Sequence, residues 1–179
     1  MRSTWLLELT PRVAEMPAPI QRYDDPFLPY CRAVFAATND LVAGYVFDLA
    51  AFLALGAAGA VALERAVALV AATPDMLSVI HGPFTRPDYA EFIGEKALRA
   101  DAATVTDCGT AAGFAAYGVT GLTLTADRES GMDGLNLDEG WALWGGLWFR
   151  LARQHFLDQF QREDFAAALH AAAVEEFKA

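Results

Sequence analysis

The chain has 179 residues and a formal net charge of −10, with 55% hydrophobic and 20% charged residues. This composition predicts a soluble globular protein rather than a disordered one. The negative charge argues against nucleic acid and anionic membranes as partners, because both repel an acidic surface.

Short apolar runs alternate with helical stretches along the first three quarters of the chain. The runs predict five β-strands, at residues 5–9, 41–47, 76–80, 102–106 and 119–125. The predicted helices between them cover residues 27–38, 60–72, 88–98 and 110–117. Mainly apolar strands that alternate with helices are typical of βαβ units in a parallel sheet buried on both faces.

The pattern changes after Leu135. Trp141, Trp144, Trp148 and Leu151 recur at three- and four-residue steps, which predicts one face of a helix. An Ala-rich segment, residues 163–177, predicts a final helix. We therefore expect a single domain over 1–179, in which a helical tail, 136–179, follows the βα units of 1–135.

The cysteines and the lengths of the apolar runs indicate the cellular compartment of the protein. Cys31 and Cys108 lie far apart, so we expect reduced thiols, and for Cys108 a buried structural one. The N-terminal residues lack the pattern of a signal peptide, and the longest apolar run, 49–63, is shorter than the about 20 residues that span a bilayer. These features predict a cytoplasmic protein without a membrane segment.

Five stretches, met in one order along the chain, are similar to the bacterial long-chain orotidine 5′-monophosphate decarboxylases. LLELTPR at 6–12 resembles the family's VGLDPR, and ATNDLVAGYVFD at 37–48 resembles ATxDLVxxYKPN. Further on, ALGAAGAVALERAV at 54–67 and ADAATV at 100–105 fit the same family, and residues 118–134 resemble its fifth strand and following loop. The resemblance covers about residues 4–135 and implies a (β/α)₈ barrel that converts orotidine monophosphate to UMP.

The resemblance also implies a catalytic cluster of alternating Lys and Asp side chains, and this chain departs from it. Thr10 stands in place of the first-strand Asp, and Val46 in place of the second-strand Lys. Ungapped alignment puts Gly82 and Phe84 at the Asp and Lys of the third strand, and no Lys occurs before residue 96. Because such charges stabilise a carbanion-like transition state, we expect no decarboxylase activity.

The phosphate-binding end of the family pattern is also missing, since no Gly-rich loop follows a strand in the tail. Gly145 and Gly146 fall inside the Trp-rich helical pattern, so we assign them a packing role. The expected fold is an incomplete or remodelled TIM-type barrel of about five parallel strands with a helical C-terminal tail. The alternative is an open doubly wound parallel sheet.

Polar residues at the predicted strand ends are the candidate ligand-binding residues, because parallel α/β proteins bind ligands there. His81 could be a general base or ligand contact, or only a loop histidine. We expect Asp88 to be the N-cap of the next helix, Asp107 could be either a ligand contact or a cap, and we expect Arg128 to be a solvated loop residue. The full candidate set is His81, Asp48, Arg86, Asp88, Asp107 and Arg128.

The sequence thus predicts a pseudoenzyme related to pyrimidine metabolism, which acts by binding a small molecule or a partner. The alternative is an enzyme with changed chemistry on the same scaffold, centred on His81. No catalytic residue of the family, no cofactor and no metal site is expected, since the three histidines are widely spaced. We expect a homodimer, or a complex with a partner protein, through Trp141, Trp144 and Trp148.

Overall fold

The computed structural model describes residues 3–124, 126, 128–152 and 164–177. Within these residues, eight strands close into a barrel in sequence order, from β1 round to β8. The strands are β1 Trp5–Leu9, β2 Gly44–Asp48, β3 Leu77–Phe84, β4 Ala102–Val105, β5 Thr120–Thr123, β6 Gly134–Asn136, β7 Trp141–Trp144 and β8 Leu147–Ala152. The expectation of a TIM-type barrel is therefore confirmed, whereas the five-strand count and the open-sheet alternative are wrong.

The helices occupy the outer layer around the first five strands. They are α1 Ala18–Gln21, α2 Phe27–Thr38, α3 Leu49–Leu53, α4 Ala57–Ala71, α5 Tyr89–Glu91, α6 Cys108–Ala115 and α7 Phe165–Phe177. A π-helical segment, Phe92–Lys96, continues α5, and a 3₁₀ turn covers Val13–Glu15. The five predicted strands and the helix over 27–38 are observed, with shifts of up to four residues at strand ends.

The tail forms strands where a helix was predicted. β5 and β6 are parallel, but β7 runs antiparallel to both of its neighbours, β6 and β8. Trp144 pairs with Leu147 across a two-residue turn at Gly145 and Gly146, whose φ angles are 57° and 77°. Two successive positive φ angles define a type I′ hairpin turn, so these glycines form the turn rather than pack within a helix.

The last helix closes the outer layer next to β1. α7 packs on α2, the Trp5 and Phe177 rings lie 5.3 Å apart, and His170 Nδ1 donates to the Ala37 carbonyl oxygen at 2.9 Å. The helix predicted for 163–177 is thus observed from Phe165, and residue 163 lies outside the described residues. No described helix is long and apolar enough to cross a membrane.

The two larger apolar clusters lie one on each side of the barrel wall, and a third, small one joins Ala126, Trp141 and Leu143. The largest lies between the strands and the helices. The second fills the barrel interior and includes Leu6, Val46, Val79, Leu122 and Phe149. Since side chains alternate along a strand, Glu8 shares the inner face of β1 with Leu6. Further along the strands, the inward-facing side chains lie at the rim formed by the C-terminal strand ends. TIM barrels bind their ligands at this rim.

Candidate active site at the barrel rim

Three polar residues from adjacent strands meet at this rim. Asp48 ends β2 and pairs in register with His81 of β3, so both lie on one face of neighbouring strands. Thr104 of β4 is fully buried, and its Oγ1 lies 3.2 Å from His81 Nδ1. We call Asp48, His81 and Thr104 the rim triad. Two of the three were predicted from the sequence.

The Thr104 hydroxyl fixes the orientation and tautomer of His81. It donates its proton to the Gly82 carbonyl oxygen at 2.7 Å and accepts the Gly82 N–H at 2.8 Å. Because its only proton is used, the hydroxyl can only accept from the imidazole, so Nδ1 carries the proton. The Nε2 lone pair is then available as an acceptor or base, and no described residue hydrogen-bonds to it.

The local geometry of β3 explains why Thr104 has this role. The β3–β4 ladder is regular up to Ile80, shifts register, and resumes at Phe84. The shift takes the Gly82 backbone groups out of the ladder, and a buried backbone group without a partner is costly. Thr104 satisfies both groups. The sequence signal for this is His-Gly-Pro at 81–83, where Pro83 cannot donate to a ladder.

The protonation state of His81 depends on its burial and on one nearby carboxylate. Burial lowers the pKa of His81 below its usual 6.5, while the nearby Asp48 carboxylate opposes this by raising it. Burial is the larger effect, so the imidazole is neutral at pH 7. Asp48 is itself anchored, since its Oδ1 accepts the Ala51 N–H at 3.0 Å and caps α3.

Asp107 serves as a helix cap, the structural alternative given above. Its Oδ1 accepts the Thr110 N–H at 2.9 Å, and its Oδ2 accepts the Thr110 hydroxyl at 2.9 Å and the Thr106 hydroxyl at 3.0 Å. These hydrogen bonds, that from the Thr110 backbone first, hold the pKa of the exposed carboxyl below its usual value. Asp107 therefore holds the start of α6.

Arg86 and Asp88 pair with each other. Asp88 occupies the N-cap position of α5, but its side chain forms no capping hydrogen bond. Its carboxylate instead contacts the Arg86 guanidinium, and both side chains are mostly exposed. Asp88 therefore stands at the N-cap position that the sequence predicted, but its side chain does not do the capping. Exposed pairs of this kind contribute little stability.

Arg128 is an exposed loop residue, as predicted, and its guanidinium also contacts the tail hairpin. Its guanidinium lies 5.8 Å from the Trp141 ring centroid and 6.0 Å from that of Trp148, and 3.9 Å from a Glu139 carboxylate oxygen. Trp141 Nε1 donates to the same carboxylate oxygen at 2.7 Å. Arg128 therefore covers the outer face of β7 and β8, where a cation over an indole is stabilising.

The three tryptophans do not share one face, contrary to prediction. Trp141 and Trp148 are on the outer face of the hairpin, with ring centroids 5.3 Å apart. Trp144 faces inward and donates its Nε1 proton to Thr120 Oγ1 at 3.1 Å. Leu151 also faces inward, within the interior cluster.

The two thiols differ in environment. Cys31 is fully buried, and burial raises the pKa of its thiol well above the usual value. Cys108 begins α6 and is exposed, with its Sγ 3.7 Å from Met132 Sδ, so the prediction that it is buried is wrong. Among the described residues, no group of three His, Cys, Asp or Glu side chains could hold a metal ion.

Together, the closed barrel and its polar rim define a protein of the TIM-barrel class. No protein-family model matches the chain. A curated relative, orotidine 5′-phosphate decarboxylase of Roseiflexus sp. (strain RS-1), is 36% identical over 105 residues, which are 57% of this chain and 38% of the relative. Over these residues the chain is similar to the orotidine 5′-phosphate decarboxylase family, as the sequence resemblance predicted.

Solved structures agree on the fold. A Toxoplasma gondii protein assigned as an orotidine-monophosphate decarboxylase is 24% identical, with a TM-score of 0.58, over 72% of this chain and 46% of its own. The OMP decarboxylase of Leishmania donovani is 23% identical, with a TM-score of 0.53, over 72% of this chain and 52% of its own. The chain therefore spans about half the length, or less, of the proteins that it matches.

Proposed function

We propose that this chain is a non-catalytic relative of orotidine 5′-phosphate decarboxylase that acts by binding. The position of its lysine carries the proposal. Among the described residues the chain has one lysine, Lys96, which is on the protein surface and pairs with Glu91 at 2.7 Å. A decarboxylase of this family needs a lysine ammonium in its pocket as proton donor. Lys96 lies on the protein surface instead, in an ion pair with Glu91.

The position that the resemblance gives to the second-strand lysine supports the same proposal. Val46 is fully buried in the interior cluster, where it packs with Leu6, Val79 and Ala102. An unpaired ammonium at this depth would carry a large desolvation cost, so this wall suits an apolar side chain. Phe84 packs on the outer side of the wall against Phe114, with centroids 6.0 Å apart.

A direct assay tests the proposal. Purified protein is incubated with orotidine monophosphate, and the absorbance change of decarboxylation is followed beside a complete decarboxylase of the family as positive control. We expect no turnover above the uncatalysed rate. We also expect weak or no UMP binding in calorimetric titration, because the acidic protein repels phosphate. Turnover, or a micromolar dissociation constant for UMP, would contradict the proposal.

We further propose that the binding partner is a second copy of the chain, docked on the outer face of the β7–β8 hairpin. Among the described residues no helix lies over this face between β6 and β8, and Trp148 is 45% exposed there, whereas Trp141 is buried. Tryptophan is enriched at interface cores, which supports this surface. The open strand edge expected from five strands gives no support, since the barrel is closed. A cytoplasmic location and a link to pyrimidine metabolism belong to the same proposal.

An enzyme with changed chemistry is the second candidate, and the oriented His81 ring favours it. A neutral imidazole with its Nε2 lone pair directed away from Thr104 has the form of a general base. NMR titration of the His81 ring with orotate, uridine and related pyrimidines tests this candidate. Saturable shifts that disappear in His81→Gln would favour it, and no shift with any of them would count against it.

A further inference from the structure

The opposite end of the barrel holds a cavity that is separate from the rim triad. Its volume is about 660 Å³, within the range of small-molecule sites. It opens at the N-terminal ends of β3 and β4 and at the β7–β8 turn, and we call it the lower mouth. Its principal lining residues are Leu77, Trp144, Leu147, Phe149, Asp75 and Asp101.

The walls of the lower mouth are apolar and aromatic, and a hydrogen bond fixes the orientation of the Trp144 side chain. Trp144 Nε1 donates to Thr120 Oγ1 at 3.1 Å, which fixes the indole plane on the inner face. Phe149 belongs to the interior cluster directly above. Leu147 is 50% exposed, so its side chain offers apolar surface at the entrance. A flat apolar body would be desolvated on such walls.

The charge of the lower mouth is negative. Asp101 Oδ2 accepts from the Ser78 N–H at 2.8 Å and the Ser78 hydroxyl at 2.7 Å, while no described residue hydrogen-bonds to its Oδ1. Asp75 is exposed and forms no hydrogen bond or ion pair with any described residue. None of the described lining residues is basic. Arg150 is turned outward, with its guanidinium 5.5 Å from the Trp5 ring centroid.

We infer that the lower mouth binds an organic cation with an apolar or aromatic body, such as a quaternary ammonium or an aryl amine. The ammonium lies near the two carboxylates and the face of the Trp144 indole, which attract it electrostatically. The apolar body contacts Phe149 and Leu77. Anionic nucleotides are excluded by the same carboxylates. This site is independent of the proposed function, which concerns the rim and the outer hairpin face.

Titration with benzyltrimethylammonium and its uncharged isostere, neopentylbenzene, tests the site. Binding is followed by the Trp144 indole NMR signal at low ionic strength. We expect saturable binding of the cation, at least about tenfold tighter than that of the isostere, since 1.4 kcal/mol of charge attraction corresponds to a factor of ten. No saturation up to about 10 mM cation, or equal affinity for both compounds, overturns the proposal.

Variants locate the binding. The double change Asp75→Asn and Asp101→Asn should weaken cation binding at least about tenfold. Asn suits both places, because it tolerates the φ of 62° at Asp75 and its carbonyl oxygen can still accept from Ser78 at position 101. A matched control, Glu64→Gln on the exposed side of α4, removes charge elsewhere and should leave affinity unchanged.

A second variant pair tests the aromatic wall. Trp144→Phe keeps a ring and should retain most of the affinity, whereas Trp144→Leu should lose several-fold more. If the leucine variant fails to fold by circular dichroism, the carboxylate variants still decide the question. Unchanged binding in the Asp75→Asn and Asp101→Asn variant places the cation elsewhere and overturns the assignment.

Discussion

At the scale of single residues, the rim shows what side-chain chemistry in a sequence can and cannot reveal. His81 and Asp48 were candidates because they are ionisable residues at predicted strand ends. Thr104 was missed because a threonine in an apolar strand is an ordinary β-former. Its role arises from the register shift in β3, which involves a strand 22 residues away along the chain. Only the fold places the two together.

Thr104→Val tests this role. The valine has nearly the same shape but cannot bond to Gly82 or His81, so two buried backbone groups lose their partner. We expect a loss of about 1–3 kcal/mol in the free energy of unfolding, measured by urea denaturation. Thr104→Ser keeps the hydroxyl and should lose about 1 kcal/mol or less, from the missing methyl group. Equal losses in both variants would show that packing, not hydrogen bonding, is what Thr104 supplies.

His81 also makes stability depend on pH. Burial lowers its pKa in the folded state, so the unfolded chain binds a proton more readily. The stability from the neutral ring is therefore present above the unfolded pKa of about 6.5 and decreases as the pH falls through that value. Urea denaturation between about pH 7.5 and 5.5 should show this decrease, and His81→Gln should reduce it.

Asp48 provides a control on the same titration. Asp48→Asn removes the charge that raises the pKa of His81, while Asn remains a good N-cap for α3. The NMR-measured pKa of His81 should therefore fall further in this variant. An unchanged value would mean that the Asp48 carboxylate does not act on the ring.

At the scale of elements, the first five strands could be predicted and the last three could not. Buried strands of a parallel sheet read as short apolar runs, which identifies them in one sequence. In the tail, Trp141, Trp144 and Trp148 fit a helical period by coincidence, since they divide between the two faces of a hairpin. The informative signal was the Gly-Gly dipeptide at 145–146 between two β-prone segments, a pattern that favours a two-residue hairpin.

The turn glycines test this hairpin. An added Cβ meets no atom within 4 Å at Gly145 or Gly146, so only the backbone conformation carries a cost. Gly146→Ala, at a φ of 77°, should destabilise the protein by about 1–2 kcal/mol in thermal or urea unfolding. Gly145→Asn should be nearly neutral, because Asn-Gly is the preferred type I′ pair. If the segment were helical, Gly146→Ala would stabilise the protein instead.

At the scale of the whole molecule, the hairpin lets a short chain close a barrel. Three strands joined by tight turns complete the ring that five βα units begin, so no sheet edge is left unpaired. In the part of the chain that the structure describes, the outer face between β6 and β8 carries no helix. Arg128 lies over the rings of Trp141 and Trp148, and Trp141 and Leu143 are buried on this face, which leaves Trp148, 45% exposed, as apolar surface. A second subunit is the simplest cover, because two-fold pairing is the commonest closed assembly.

The oligomeric state decides whether this face is an interface. Light scattering after size exclusion at low micromolar concentration should give about twice the chain mass of 19.3 kDa. Trp148→Glu places a charge at the centre of the face and should shift the protein to monomer, since desolvating an unpaired carboxylate is costly. Tyr23→Glu, at a site that is 59% exposed in the α1–α2 loop, is the matched control and should remain dimeric. A wild-type mass near that of one chain rules out self-association under these conditions, and a dimer that persists in Trp148→Glu places the interface on another surface.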